Sequence, residues 1–406
     1  MSFNKDTFCM MTHQGFFVQP DRKVKPCCIF DDFDKPVIFD ENKTFDEMYN
    51  SSQFIDLRQK MDNGIPHKGC HACFSGKSNM RTGLNSFLFN NDYDKLKDLI
   101  QPDKISTEIF YLDLRLSNLC NFKCRMCNDV YSSTWATELQ ALKLPTSTNN
   151  ISNNNSNNYL NVLKNKIKNL KYLYLGGGEP FLMKETFQLL DLISDNHKSK
   201  ISIALNTNLS NLYYKGRDIL EILGKFEKVY FNVSCDGINE IGEYQRTGFE
   251  TKKFNKNVKE VIARKKFYPQ FDLRFTYALG AINIFHIIDF LKYIKSEFKM
   301  SEKNIGVEFI EWPWYYNIGN ASPEFKSKVE DYINNLKIDK NSELFNRLTT
   351  YKDFIKRDFN PTIKKYDYDF VKTIDEYRKS YLKNIAPWVQ TEILDFNHNT
   401  FTLKKL

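Results

Sequence analysis

Three cysteines stand close together in the first half of the chain. Cys120, Cys124 and Cys127 form a C-x3-C-x2-C pattern within the stretch LCNFKCRMCN. Cysteines at this spacing bind zinc or an iron–sulfur cluster, and either site normally takes four protein ligands. Three thiolates can instead hold a 4Fe–4S cluster and leave one iron for an outside ligand. The alternatives are reduced buried cysteines, or a zinc site whose fourth ligand comes from elsewhere.

A second candidate ligand-binding segment lies in the stretch LYLGGGEPFL. It places Gly177, Gly178, Glu179 and Pro180 directly after an apolar run. Glycines let the backbone approach a ligand closely, and the Glu179 carboxylate can accept hydrogen bonds from an ammonium group. A tight turn followed by a proline at the first helical position gives the same letters. The segment is therefore informative only in combination with the cysteine motif.

The overall composition excludes several classes of protein. The 406 residues carry a net charge of +8 that is spread along the chain, whereas nucleic-acid binding favours a concentrated basic stripe. No apolar run reaches the roughly 18 residues of a transmembrane helix, and the first residues lack the pattern of a signal peptide. Nine cysteines without an export signal indicate a cytoplasmic, reducing environment in which grouped cysteines bind metals.

Strands and helices are predicted to alternate through the middle of the chain. Buried strands are expected at 109–116, 170–175, 200–205, 228–233, 271–279 and 305–310. Helical periodicity covers 132–144, 184–196, 213–226, 253–266 and 283–298. This order predicts parallel βαβ units, which form a partial barrel or a doubly wound sheet. In both folds ligands bind at the carboxyl ends of the strands, where the cysteine motif and the GGEP segment both lie.

The composition divides the chain into three regions. Residues 1–105 are loop-rich and cysteine-rich and suggest a small metal-binding domain, 106–320 hold the alternating elements, and 321–406 are helical and polar. The clearest helices of the last region are expected at 322–337 and 370–385. A low-complexity polar stretch at 146–158 is predicted to be a flexible surface insert.

The first region carries a second group of cysteines. Cys9 and Cys27 flank a predicted hairpin whose turn is PDRK, and Cys70 and Cys73 form a C-x2-C pair. Four such ligands can hold zinc or a second 4Fe–4S cluster, and their spacing does not decide between them.

Three neighbouring residues are further candidates for this site. Cys28 can replace Cys27, because adjacent strand residues point to opposite faces and only one of the two should face the metal. His13 and His71 are also near in sequence, but each is expected to be a solvated loop residue.

The two central motifs resemble those of the radical S-adenosylmethionine (radical SAM) superfamily. The resemblance implies an α/β fold: a partial (β/α)6 radical SAM barrel with a small N-terminal Cys-rich iron–sulfur domain and a helical C-terminal extension. The N-terminal hairpin and C-x2-C pair resemble the twitch domain, a shorter relative of the SPASM domain that holds an auxiliary cluster. The likeness extends to NTNLS and IDEYRKSYLKNIAPW and so covers most of the chain. One departure is Met126, where an aromatic residue is common, and a methionine packs well enough to replace it.

The resemblance assigns roles to individual residues. It implies that Cys120, Cys124 and Cys127 hold a 4Fe–4S cluster whose free iron is chelated by S-adenosyl-L-methionine (SAM), and that the GGE segment binds the SAM amino group. Asn208 and Ser234, which follow the third and fourth strands, are further SAM-binding candidates. For Asn208, the alternative is a simple turn-forming asparagine.

Arg246 is the remaining SAM-binding candidate, because a guanidinium pairs well with the SAM carboxylate. Its alternative is an exposed arginine at a helix end. Cys235 is expected to be a buried free thiol that points away from Ser234. Trp312 and Trp314, which follow the sixth strand, either line a substrate pocket or pack in the core.

The resemblance also implies a function. Electrons from an external flavodoxin- or ferredoxin-type donor would let the enzyme cleave SAM reductively to a 5′-deoxyadenosyl radical, which abstracts hydrogen from a substrate. A peptide or protein side chain is the favoured substrate, and a carbohydrate or small metabolite is the alternative. Cys9, Cys27, Cys70 and Cys73 would hold the auxiliary cluster. A non-catalytic iron–sulfur or zinc protein for electron transfer is the third hypothesis, which the GGEP segment, Ser234 and Arg246 argue against.

Overall fold

The computed structural model describes residues 4, 6–75, 81, 109–147, 156–357 and 365–395. Its strands are β1 (Gly15–Val18), β2 (Lys23–Lys25), β3 (Val37–Ile38), β4 (Tyr111–Leu114), β5 (Lys123–Cys124), β6 (Tyr172–Leu175), β7 (Ser202–Thr207), β8 (Tyr213–Tyr214), β9 (Arg217–Asp218), β10 (Lys228–Ser234), β11 (Arg246–Thr247), β12 (Phe271–Leu279) and β13 (Ile305–Phe309). Most of the predicted polar insert, residues 148–155, lies outside the described residues.

The helices are α1 (Met10–Gln14), α2 (Phe45–Tyr49), α3 (Ser52–Asp62), α4 (His71–Phe74), α5 (Ser133–Ala141), α6 (Ser156–Leu163), α7 (Lys184–Leu192), α8 (Asp195–Lys198), α9 (Ile219–Leu223), α10 (Asn239–Gln245), α11 (Thr251–Arg264), α12 (Ile287–Phe298), α13 (Pro323–Asn334), α14 (Glu343–Ile355), α15 (Lys365–Arg378), α16 (Leu382–Ile385) and α17 (Pro387–Val389). Among the residues described, none of these helices is long and apolar enough to cross a lipid bilayer.

A nine-stranded sheet organises the molecule, in the order β13-β12-β10-β7-β6-β4-β1-β2-β3. The six predicted strands are β4, β6, β7, β10, β12 and β13, and they pair in parallel in chain order. The predicted α/β class is therefore confirmed. The predicted N-terminal hairpin is also present as β1 and β2. Because β1 pairs in parallel with β4, the cysteine-rich region extends the same sheet.

The two faces of this sheet differ in character. Successive residues of a strand point to opposite faces. In β10, Val229, Phe231 and Val233 are fully buried, whereas Asn232 and Ser234 are only half-buried. Strands β6 and β12 repeat this alternation, whereas all four residues of β4 are buried. One face of the sheet therefore forms the apolar core, and the other is partly open. We call this partly open side of the sheet the open face.

One predicted helix is much shorter than expected. The periodicity of 213–226 predicts a helix, but the segment begins as the two-stranded hairpin of β8 and β9, and only α9 is helical. Lys215 and Gly216 adopt positive φ angles of 47° and 79°, which a right-handed helix cannot contain. Asp218 then caps α9 by accepting hydrogen bonds from the backbone of Leu220 and Glu221. The predicted helix 370–385 is divided into the end of α15 and α16, with a positive φ of 52° at Lys379 between them. The predicted helix 184–196 is likewise divided into α7 and α8, and the remaining predicted helices are present.

The two N-terminal histidines differ in environment. The prediction that His13 is a solvated loop residue is wrong, because it lies in α1, which packs against α3. His13 is buried, with its Nε2 atom 2.9 Å from an Asp62 carboxylate oxygen. His71 is exposed, as predicted, and its Nδ1 atom lies 2.7 Å from Asp31.

Candidate functional site

The cysteine motif folds back on itself as a short ribbon. After β4, residues Lys123 and Cys124 form β5, which pairs antiparallel with β11 so that Arg246 lies opposite Cys124. Cys120 and Cys124 are buried and Cys127 is half-buried. Burial raises the pKa of the Cys120 thiol, and the charges of Cys124 and Cys127 raise it further. The structure thus brings the three predicted ligands together on one loop.

The glycine turn after β6 packs directly on the segment that enters this loop. The Gly178 and Glu179 N–H groups donate to the carbonyl oxygens of Ser117 and Leu119, at 3.1 and 2.8 Å. A Cβ atom on Gly178 would overlap the Leu119 carbonyl group, and Gly177 has a φ of +103°. Glycine is therefore required here for the close approach of two backbone segments, in addition to the ligand approach and the tight turn that the sequence suggested.

Glu179 is a buried carboxylate at the edge of the site. It accepts hydrogen bonds from the Thr207 hydroxyl and the Asn208 N–H at 2.6 Å, and from the Phe181 N–H at 3.1 Å. Burial raises the pKa of Glu179 to about 7, although these three donors oppose the shift. Pro180 begins a single helical turn, with Glu179 as its capping residue.

Asn208 connects the end of β7 to the cysteine motif. Its side-chain amide donates to Asn121 Oδ1 at 3.0 Å, and its Oδ1 atom accepts from the Ser210 N–H at 2.9 Å. The hydrogen bond from Ser210 closes a local turn, which is the role that the sequence offered as the alternative to SAM binding. The hydrogen bond to Asn121 also holds Asn208 beside the cysteine loop, since Asn121 directly follows Cys120.

Arg246 lies between a carboxylate and a cysteine. Its Nε atom is 2.7 Å from Asp236 Oδ2, an ion pair without the angle of an aligned hydrogen bond. Its Nη1 atom lies 3.5 Å from the Cys124 sulfur. Burial raises the pKa of the Cys124 thiol, and the Arg246 charge partly offsets that rise. The side chain is only 12% exposed, so Arg246 is not the exposed helix-end arginine of the alternative interpretation.

The remaining predicted residues lie around the same edge. Ser234 is the last residue of β10 and points to the open face, next to Thr276 of β12. Cys235 is fully buried, as expected, and its thiol donates to the Gly237 carbonyl at 3.2 Å. Trp312 and Trp314 are 49% and 38% exposed, which argues against core packing. Their contact with a substrate remains a prediction.

Sequence reasoning missed a charged pair on the open face beside the glycine turn. Arg115 Nε lies 3.3 Å from an oxygen of the buried Asp113, and the guanidinium stacks over the rings of Phe17 and Tyr174. The signal was available in the sequence. The letters DLR fall inside a predicted strand, and charged residues are seldom buried without a specific reason.

The N-terminal cysteines form a second site. Cys9, Cys27, Cys70 and Cys73 line one cavity together with apolar side chains and Arg81. Burial is the main cause that raises the pKa of Cys9, to about 11, and the nearby Cys73 raises it further. Cys28 does not line this cavity.

The surroundings of Cys28 are different. Burial and the Asp113 carboxylate raise the pKa of the Cys28 thiol, and Cys73 raises it as well, whereas Arg115 lowers it. The structure thus separates the two adjacent cysteines whose roles the sequence left open.

Four thiols that line one cavity can hold either zinc or a 4Fe–4S cluster. Zinc requires all four sulfurs about 2.3 Å from a single ion, whereas a 4Fe–4S cluster takes each sulfur on a different iron. All nine cysteines are free, so none of the candidate ligands is tied up in a disulfide.

Two family models match parts of the chain. Residues 114–274 match the model of the radical SAM superfamily, and residues 9–74 match an iron–sulfur cluster-binding domain, SPASM. These two matches confirm the resemblance to the radical SAM superfamily that the sequence motifs indicate. The expected order, with the cluster-binding domain before the radical SAM domain, is confirmed.

Individual relatives are distant. Over 207 residues the chain is 26% identical to GTP 3′,8-cyclase of Campylobacter lari, covering 48% of this chain and 54% of that protein, about half its length. Among solved structures, anSMEcpe with bound AdoMet is 22% identical with 60% of each chain covered and a TM-score of 0.37. Streptococcus suis SuiB is 15% identical with 89% and 76% covered and a TM-score of 0.37.

Proposed function

We propose that this protein is a radical SAM enzyme that carries two 4Fe–4S clusters and abstracts hydrogen from a substrate on the open face of its sheet. The observation that carries the proposal is the packing of the GGEP turn on the cysteine loop. There the backbone N–H of Glu179 donates to the Leu119 carbonyl at 2.8 Å. When bound, the cluster held by Cys120, Cys124 and Cys127 supplies the electron that cleaves SAM to methionine and the 5′-deoxyadenosyl radical.

The residues around this loop have separate tasks in the proposal. Glu179 accepts hydrogen bonds from the SAM amino group, and the GGEP turn fixes Glu179 against the cysteine loop. Asn208 and Ser234 offer polar groups at the ends of neighbouring strands. Arg246 supplies a positive charge beside Cys124 and is available to the SAM carboxylate through the nitrogens that Asp236 does not engage.

The N-terminal cavity has a different task. We assign its cluster to Cys9, Cys27, Cys70 and Cys73, which all line the cavity. A cluster with four protein ligands has no iron left for a substrate, so it serves electron transfer. An external flavodoxin- or ferredoxin-type protein supplies the electrons.

We propose a peptide or protein side chain as the substrate, the class that an auxiliary-cluster domain of this kind implies. The open face beside the glycine turn offers Arg115, Tyr172 and Tyr174 for recognition, and this polar and aromatic lining suits such a side chain. A small molecule is the second candidate. It is favoured by the relative named GTP 3′,8-cyclase, which suggests a nucleotide in particular.

Anaerobic reconstitution tests the proposed enzyme. We expect about eight irons per chain, four for each cluster, and 5′-deoxyadenosine from SAM and a reductant. Cys124→Ala should abolish SAM cleavage, because the loop loses one of three ligands. Cys73→Ala is the matched control and should keep some uncoupled cleavage, because it alters only the N-terminal cavity.

Several results would contradict this division of tasks. About four irons with one zinc would eliminate the second cluster, and SAM that stays intact in every reduced sample would refute the enzyme. Equal loss of SAM cleavage in folded Cys73→Ala and Cys124→Ala would refute the assignment of separate tasks to the two cysteine sites. Mass spectrometry of 5′-deoxyadenosine then distinguishes the substrate classes. More product with added peptides than with nucleotides would support a peptide or protein substrate. More product with nucleotides would support a small molecule.

A further inference from the structure

The last turn of α15 makes direct contact with the cysteine loop. The Arg378 Nη1 atom donates to the Lys123 carbonyl at 2.8 Å and to the Thr247 hydroxyl at 3.1 Å. Lys123 belongs to β5 and Thr247 to β11. One guanidinium from the C-terminal region therefore joins both strands of the ribbon that carries Cys124.

The same arginine also reaches the helix that follows the motif. Its Nε atom donates to Glu138 at 2.8 Å, and both side chains are 1% exposed. The guanidinium stacks over Trp135 at 4.3 Å, and the Trp135 indole N–H donates to the Cys124 carbonyl at 2.7 Å. Arg378 is thus linked to Cys124 through two routes.

A second residue of α15 holds the other side of Cys124. An Arg125 terminal nitrogen lies 2.6 Å from Asp375 Oδ1, and this ion pair is almost fully buried. Asp375 also accepts hydrogen bonds from the Tyr244 hydroxyl at 3.0 Å and the Leu382 N–H at 2.7 Å. Arg125 lies over the Tyr244 ring at 4.1 Å, so it cannot turn toward water without breaking these contacts.

We propose that Asp375 and Arg378 are positioning residues that hold Cys124 in register with Cys120 and Cys127. They act one helical turn apart, on the residues directly before and after Cys124. Loss of the Asp375 charge leaves Arg125 buried without a counter-charge, and the loop must move to rehydrate it. Helix α15 is therefore part of the cluster site. This inference rests on the proposed function only where it concerns the bound cluster.

The test uses the full chain and two variants, each compared with a control on the same helix. Asp375→Asn is compared with Glu376→Gln, which removes the same charge from an exposed neighbour on the same helix. Arg378→Gln is compared with Lys372→Gln, also exposed. For the reconstituted protein, we expect Asp375→Asn and Arg378→Gln to lose the SAM-responsive cluster EPR signal under chelator about tenfold faster than their controls.

A second readout needs no cluster. In the metal-free protein, the Cys124 thiol should react faster with an alkylating reagent in the two variants than in their controls. Unchanged Cys124 reactivity and an unchanged EPR signal, even with a lowered melting temperature, would show a merely structural role and overturn the inference. If Asp375→Asn does not fold, Arg378→Lys decides by the same two readouts, because lysine keeps the charge but cannot bond both strands. A wild-type protein that binds no cluster would refute the proposed function and leave the alkylation test valid.

Discussion

At the scale of single residues, Glu179 is the group whose ionisation the fold controls most clearly. Its carboxyl is fully buried between Phe181 and the end of β7, and burial raises its pKa from the ordinary value of 4.5 to about 7. The charged and titratable groups that act on it are Cys120 and Arg246. The folded protein therefore binds this proton more tightly than the unfolded chain does. Protonation of Glu179 therefore stabilises the folded protein below pH 4.5, and this stabilisation is lost as the pH rises toward 7.

Glu179→Gln in the metal-free protein isolates this titration. The stability of wild type relative to Glu179→Gln should fall by on the order of 3 kcal/mol as the pH rises from about 4.5 to about 7. Denaturant unfolding of both proteins across this range measures the difference. Every other titrating group cancels in the comparison, because both proteins contain it. A difference that is constant, or that grows with pH, would show that the three donors already keep Glu179 ionised.

At the scale of elements, the turn after β6 and the loop after β4 depend on each other. Gly178→Ala places a methyl group on the Leu119 carbonyl, a backbone atom that cannot move aside alone. We expect a loss of about 3 kcal/mol in the free energy of unfolding, together with weaker cluster binding by the displaced cysteine loop.

Gly306→Ala is the matched control for this substitution. Gly306 lies in β13, and a Cβ atom there would be 3.9 Å from its nearest neighbour, so the change should stay within about 0.5 kcal/mol. Denaturant unfolding and iron content measure both variants. Equal stability of the two would show that the turn can relax away from the cysteine loop.

The same elements show what a sequence can and cannot predict. The six parallel strands were found because buried strands carry a local apolar pattern, and the motifs follow two of them. The hairpin at β8 and β9 was missed because a helical pattern was interrupted by positive φ angles at Lys215 and Gly216. The Arg125–Asp375 pair was missed for a different reason. These residues lie far apart in the chain, and no local pattern signals which charges will be buried together.

At the scale of the whole molecule, the two cysteine sites belong to one sheet. The hairpin of β1 and β2 leads through Pro26 into Cys27 and Cys28, and β1 is hydrogen-bonded to β4, which leads into the cysteine loop. Cys27 lines the N-terminal cavity and Cys28 does not, and the charges of Asp113 and Arg115 act on the Cys28 thiol. The sheet thus fixes where both sites lie relative to the open face.

Adjacent serine substitutions test this geometry. Cys27→Ser should lower the iron content by about four per chain, since it removes a ligand of the N-terminal cluster, and should leave the SAM-responsive EPR signal in place. Cys28→Ser is the matched control, with the same chemistry one residue away, and should keep both clusters, because its sulfur lies outside the cavity. Iron analysis and EPR on the two reconstituted proteins measure the outcome. Loss of iron from Cys28→Ser with retention in Cys27→Ser would assign the ligand to Cys28 and place Cys27 outside the cluster.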